Sequence, residues 1–371
     1  MKFEFKRANA IRPYQTKTKK LKKQTKNIRK SASPFRGLGC LLLILIFCFP
    51  TMLVSQEFVW KAGVNSFFDN QEFAGSAVQD DQTMAGVRIS PEIGLSWEGN
   101  HRIFAGFDAM REFGSNKFID DIAPIAYYNF SGERFRFYMG AFPRRMVLGN
   151  YPRMFFADSI GYFRPVLNGL FWEYFRNDNY LNVWLDWTSR QTADVRETFF
   201  MGWSGRYNWN IFYAQHFGYM FHFAHRASNP RGNLHDNGLM LTSLGIDFAE
   251  KTNFNKLEAN VGWSVGLERN RGGDNRWHTP HGFLSELKIE YRGLGIFNTF
   301  YAGGAQQIFY GEYGNSLYWG DRFYRTRRYN RLDLYYSFFR TNVVNLKFIY
   351  SFHFAERNMY HQQVLLASFN L

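Results

Sequence analysis

Cysteine is nearly absent. The 371 residues hold two, Cys40 and Cys48, so the chain beyond them has neither a disulfide framework nor a thiolate metal site. Proline is scarce, at 10 residues, which excludes a Pro-rich linker protein. From residue 57 onward no stretch of 18 apolar residues occurs, which excludes an α-helical membrane protein. Charge of one sign is also missing from the body. Of the net +14, residues 1–36 carry +12, from 13 basic residues against Glu4, leaving +2 for residues 37–371. A nearly neutral body has no electrostatic footprint for DNA or RNA, so no nucleic-acid partner is expected.

What is abundant is aromatic: 41 Phe, 22 Tyr and 10 Trp. The basic leader runs into a 12-residue apolar stretch, Leu38 to Phe49, followed by Ser55 and Gln56. A charged region, a short apolar region and a small residue at the cut read as a secretory signal peptide over 1–55, with a mature domain over 56–371. Twelve apolar residues are too few to span a bilayer as a helix, which needs about 20.

Along the body the hydrophobic period is two. Leu257, Ala259, Val261, Trp263, Val265 and Leu267 alternate with Lys256, Glu258, Asn260, Gly262, Ser264, Gly266 and Glu268. The same split recurs around Glu92, Asp186, Glu286, Lys288, Glu290, Arg331, Asp333 and Lys347, each with an apolar residue on at least one side. Such segments are strands with one apolar and one polar face. A dry core could not take the charged face without a heavy desolvation cost, whereas a wet lumen could. Short turns are expected at 98–101, 131–134, 177–179, 208–210, 249–255, 292–295 and 339–342. Longer loops are expected at 68–83, 111–122, 144–165, 188–196, 225–237, 269–282, 309–328 and 355–358. Seven turns and eight loops in alternation join about 16 strands (14–18) of an all-β, antiparallel transmembrane β-barrel with short periplasmic turns and long extracellular loops.

These features resemble the outer-membrane β-barrel proteins of Gram-negative bacteria, in particular general porins. The final alternation of Leu365, Ala367, Phe369 and Leu371 is similar to the terminal strand that the barrel-assembly machinery recognises in that family. The resemblance implies an outer-membrane location, contact with outer-membrane lipid and lipopolysaccharide, and a channel for passive or weakly selective passage of small hydrophilic solutes; a homo-oligomer is allowed. It also implies that a long loop after the fifth strand folds into the lumen. The constriction candidates are then Arg144, Arg145, Arg153, Asp158 and Arg164, and the lumen-facing charges are Glu92, Asp186, Lys256, Glu258, Glu286, Lys288, Glu290, Arg331, Asp333 and Lys347.

Two other readings compete. A lipid-hydrolysing barrel would need a nucleophile beside its base. His225 and Ser228 look superficially like the His-x-Ser of such enzymes, with one residue too many, so the expectation is no enzyme. A surface glycan-binding barrel would use Trp319 and Tyr324 among Arg322, Arg325, Arg327 and Arg328. His278 and His281 flank Pro280, which favours a turn over a metal-binding helix, so no metal and no cofactor are expected.

Overall fold

In a computed structural model the described residues are 56–371, apart from 150 and 230–233. The leader over 1–55 lies outside them. The described residues form a single closed antiparallel barrel of 16 strands in which each strand pairs with its neighbours in sequence and the last pairs with the first. In chain order the strands are β1 Glu57–Glu72, β2 Gln82–Trp97, β3 His101–Glu112, β4 Asp121–Ser131, β5 Phe135–Pro143, β6 Val166–Arg176, β7 Asn179–Ser189 and β8 Arg196–Trp209. The second half comprises β9 Phe212–Arg226, β10 His235–Asp247, β11 Lys256–Asn270, β12 His281–Tyr291, β13 Leu294–Gly303, β14 Arg328–Arg340, β15 Val344–Ala355 and β16 Asn358–Asn370. Closure leaves no ladder edge to face lipid, which is the condition for spanning a membrane with strands.

Alternation sorts the side chains as the period of two requires. Trp60, Ile93, Leu181, Val183, Val261, Trp263 and Leu244 stand on the outer wall at 47–65% exposure. An outer face of that apolarity is stable only against hydrocarbon, and the chain is an outer-membrane barrel. Short turns close one end. At Glu98-Gly99 and Arg292-Gly293 both residues have positive φ, the hairpin geometry whose twist matches that of the flanking strands.

Several strand ends differ from the sequence reading: β13 ends at Gly303, so the loop expected at 309–328 begins at 304. Strands β1 and β2 extend to Glu72 and from Gln82, and β10 starts at His235, so loops expected at 68–83 and 225–237 are shorter. The cause is composition. Asp69 to Glu72 and His235 to Asn237 are polar on both faces and look like loop, yet all of them pair in the ladder. The lumen also differs. In the long-loop half the inward side chains include Phe200, Phe217, Tyr219, Phe221, Leu241 and Leu284, each no more than 4% exposed, so this half is packed and not water-filled.

Candidate active site at the barrel seam

Packing in the lumen is supplied by two loops. After Pro143 the chain turns inward through the short helix Arg145–Leu148. Arg144 pairs with Asp186 of β7 at 2.5 Å and donates to the carbonyls of Arg164 and Val166, closing the base of loop 144–165. Further along, Arg153 bonds Asp158 at 2.9 Å and reaches Asp333 of β14 at 3.1 Å. Arg331 completes the network, with Asp333 at 2.6 Å and Asp158 at 3.3 Å. Strand β14 lies on the far wall from β5 and β6, so loop 144–165 crosses the lumen.

Loop 304–327 meets it there. Ala157 donates to the Trp319 carbonyl at 2.8 Å, and Asp321 to that of Arg153 at 2.9 Å. Trp319 packs against Phe200 with ring centroids 4.8 Å apart, and Phe200 stacks on Phe221 at 4.1 Å. Phe155, Leu317 and Phe323 are at most 1% exposed. The two loops thus meet and pack together inside the lumen as a plug. Burial works to raise the pKa of both plug carboxylates, with different results. Arg153 and Arg331 hold Asp158 below the ordinary carboxylate range, whereas Asp321, with Arg331 at 4.0 Å, stays above it.

The other charges singled out in the sequence line the inner wall. Glu92 accepts from Tyr127 at 2.8 Å. Glu258 pairs with Arg206 at 2.9 Å and Lys288 at 3.9 Å, Glu286 with Lys288 at 3.7 Å, and Glu290 with Lys256 at 3.6 Å. Lys347 sits 3.9 Å over the Tyr335 ring and Arg164 4.3 Å over Trp319. His225 and Ser228 do not make a nucleophile and base pair: His225 faces Gln191 at 3.3 Å, and the Ser228 hydroxyl donates to the Ala193 carbonyl. Trp319 and Tyr324, which the glycan-binding reading needs at the surface, are instead buried in the plug at 4% and 2% exposure; the cause is the inward fold of loop 304–327. His278 and His281 turn to Asp274 and to the Thr279 carbonyl, respectively.

A constellation that the sequence reading missed lies on the outer wall where β1 closes on β16. Asn70 is directly opposite Thr83 of β2 on one side and Gln363 of β16 on the other. The Thr83 hydroxyl donates to Asn70 Oδ1 at 2.7 Å, and Asn70 Nδ2 donates to Gln363 Oε1 at 2.6 Å and to Glu72 Oε1 at 2.9 Å. Glu72 is opposite His361, and the Tyr350 hydroxyl of β15 is 3.2 Å from His361 Nδ1. Six polar side chains from four strands therefore share one patch of lipid-facing wall. Apolar outer residues flank it on both sides: Phe68 and Leu365 toward the short-turn end, Phe354 and Met359 toward the loops, at 40–51% exposure. Beside it is a groove of about 750 Å³ lined by Asn70, Glu72, Thr83 and His361.

Polar groups in a lipid-facing wall are costly and by default functional. With the Tyr350 oxygen accepting from Nδ1–H, the lone pair of His361 Nε2 is free to take a proton. The side-chain amide nitrogen of Gln363 stands one row away as a donor for a developing oxyanion, and Asn70, whose amide hydrogens go to Gln363 and Glu72, holds it in place. The inner face of the same seam is polar too. Gln362 donates to Asp69 at 2.7 Å, His353 Nε2 meets Gln362 Oε1 at 3.1 Å, and Tyr329 meets His353 Nδ1 at 2.8 Å. One signal in sequence could have located the site: the run Asp69-Asn70-Gln71-Glu72 breaks the alternation by being polar on both faces.

Comparison with known families bears on this geometry. Residues 55–370 match the model of the lipid A 3'-O-deacylase-type family, and the chain belongs to that family. The expectation of a non-enzyme is overturned by this match. No curated protein sequence matches the chain. Among solved structures, a loop-deletion mutant of OmpT, an outer membrane protein of Vibrio cholerae, aligns at 8% identity and TM-score 0.49, over 85% of this chain and 99% of that one. A mutant of the Rh. blastica porin aligns at 12% and 0.46, over 85% and 100%. Pseudomonas aeruginosa OccD3 aligns at 8% and 0.41, over 85% and 91%.

Proposed function

We propose that this barrel is an outer-membrane esterase that removes an ester-linked acyl chain from lipid A, acting at the seam between β1 and β16. The observation that carries the reading is the hydrogen-bonded row Thr83–Asn70–Gln363 beside Glu72 and His361, set in the apolar wall where an acyl chain would lie. Family membership names the reaction class. The plug supports the same reading, since a plugged lumen favours chemistry on the lipid-facing wall over passage of solutes.

In the reaction, water attacks the acyl carbonyl carbon and His361 Nε2 accepts the water proton as the new C–O bond forms. Glu72, opposite on β1, steadies the imidazolium that results. The Gln363 amide group donates to the tetrahedral oxyanion. Collapse breaks the ester C–O bond, and the His361 proton goes to the departing sugar oxygen, giving a free fatty acid and a sugar hydroxyl. Thr83 holds Asn70 in orientation. The test is fatty-acid release from lipid A in mixed micelles by the folded protein. Release that His361→Asn abolishes supports the proposal, and release unchanged in that variant removes His361 from the mechanism.

A further inference from the structure

Below the plug, the short-turn half of the lumen holds a separate chamber of about 930 Å³. Its roof is loop 144–165. Its lower wall includes Lys256, Asn345, Lys347 and Ser368, which lie near the ends of strands at the short-turn side, the periplasmic side of an outer-membrane barrel. Nine Lys and Arg against four Asp and Glu line it, an excess of five positive charges. Six of the nine find carboxylates, among them Arg88 with Asp108 and Arg206 with Glu258. Arg145, Arg164 and Lys347 find none within 4.0 Å among the described residues. Arg164 and Lys347 rest on the rings of Trp319 and Tyr335, and Arg145 extends over β1 at Gly63, where a Cβ would come within 3.0 Å of its terminal nitrogen.

Three unneutralised cations converging on one enclosed space are costly unless counter-charge enters it. Bulk salt ions would offset part of this; a multivalent oxyanion would offset more, because guanidinium groups pair with its oxygens in fixed geometry. Each phosphate group carries about −1.5 to −2 charge at neutral pH, so two of them offset the three cations that lack a carboxylate. Side chains of Asn65, Asn345 and Ser368 supply neutral donors in the same chamber. We infer that this chamber is a binding site for a phosphate-bearing solute entering from the periplasmic side, separate from the outer-wall site and independent of the deacylase reading.

The probe is inorganic pyrophosphate, titrated calorimetrically into the folded full chain in detergent at low salt. Saturable binding is expected, weakened at least tenfold in Arg145→Gln and in Lys347→Met, and weakened by added salt. Far-UV circular dichroism confirms that each variant is folded. His361→Asn, on the outer wall, is expected to bind pyrophosphate as the unaltered protein does. Absence of saturable binding at millimolar pyrophosphate would overturn the inference, as would binding that neither chamber variant weakens.

Discussion

Asn70 donates its side-chain amide to Gln363 at 2.6 Å across 293 positions of sequence, on the outer wall where the first strand closes on the last. One residue further along each strand's opposite face, Gln362 donates to Asp69 at 2.7 Å. The seam is thus stitched by amides on both faces, and the outer row carries the chemistry proposed above.

Loss of the base should be the most damaging change at this site. His361→Asn is expected to lower deacylation by roughly 10²–10⁴-fold, and Tyr350→Phe by less, since it removes only the group that orients Nδ1. Steady-state fatty-acid release measures both, with heat-modifiable gel mobility reporting that the barrel is folded. Gln363→Leu removes the oxyanion donor and is expected to cost about 10²–10³ in kcat.

The plug predicts an electrically quiet barrel. In a planar bilayer the unaltered protein should show no stepwise openings, whereas removing residues 306–325 should produce them. Stepwise openings in the unaltered protein would show that the two loops leave an open path.

Asp333 neutralises Arg331 and Arg153 together and is 2% exposed. Asp333→Asn leaves both guanidinium groups short of a counter-charge in a buried site, a change that costs about 3–5 kcal/mol. Urea unfolding in detergent should show the loss as a lower midpoint with unchanged slope.

Two plug aspartates should respond to pH in opposite directions. Asp158 is held below its ordinary pKa, so its contribution to stability is present above about pH 4 and is lost as pH falls through its lowered folded value. Asp321 is raised, so its ionised form opposes folding near neutral pH and this cost disappears in acid. Accordingly Asp158→Asn should destabilise at pH 7 by about 2 kcal/mol. Asp321→Asn should be neutral or stabilising there, because its Oδ1 still accepts from Phe323 N at 2.9 Å. Unfolding midpoints at pH 7 and pH 4 separate the two.

The barrel was largely legible because its determinants are local. Period-two runs such as Leu257 to Leu267 fix which face meets lipid, and turns such as Arg292-Gly293 mark where strands reverse. The loops misjudged were those where local pattern misleads: Asp69 to Glu72 reads as loop because its partners on β2 and β16 are remote in sequence. The site was illegible for the same reason. Thr83, Asn70, Glu72, Gln363, His361 and Tyr350 come from four strands, and only barrel closure brings residue 70 beside residue 363. The inward fold of loop 304–327 is not visible in its Arg-rich sequence, because Trp319 packs on Phe200 and Phe221 of β8 and β9 while Phe323 and Tyr324 pack on Tyr329 of β14, all remote in sequence or masked by the charged neighbours.

The most direct test of the account is mass analysis of lipid A from Gram-negative cells whose outer membrane carries either this protein or its His361→Asn variant at equal, folded abundance. The account predicts that the unaltered protein yields lipid A lighter by one ester-linked acyl chain and that the variant leaves it intact. Lipid A of unchanged mass in the presence of the folded, unaltered protein would contradict it.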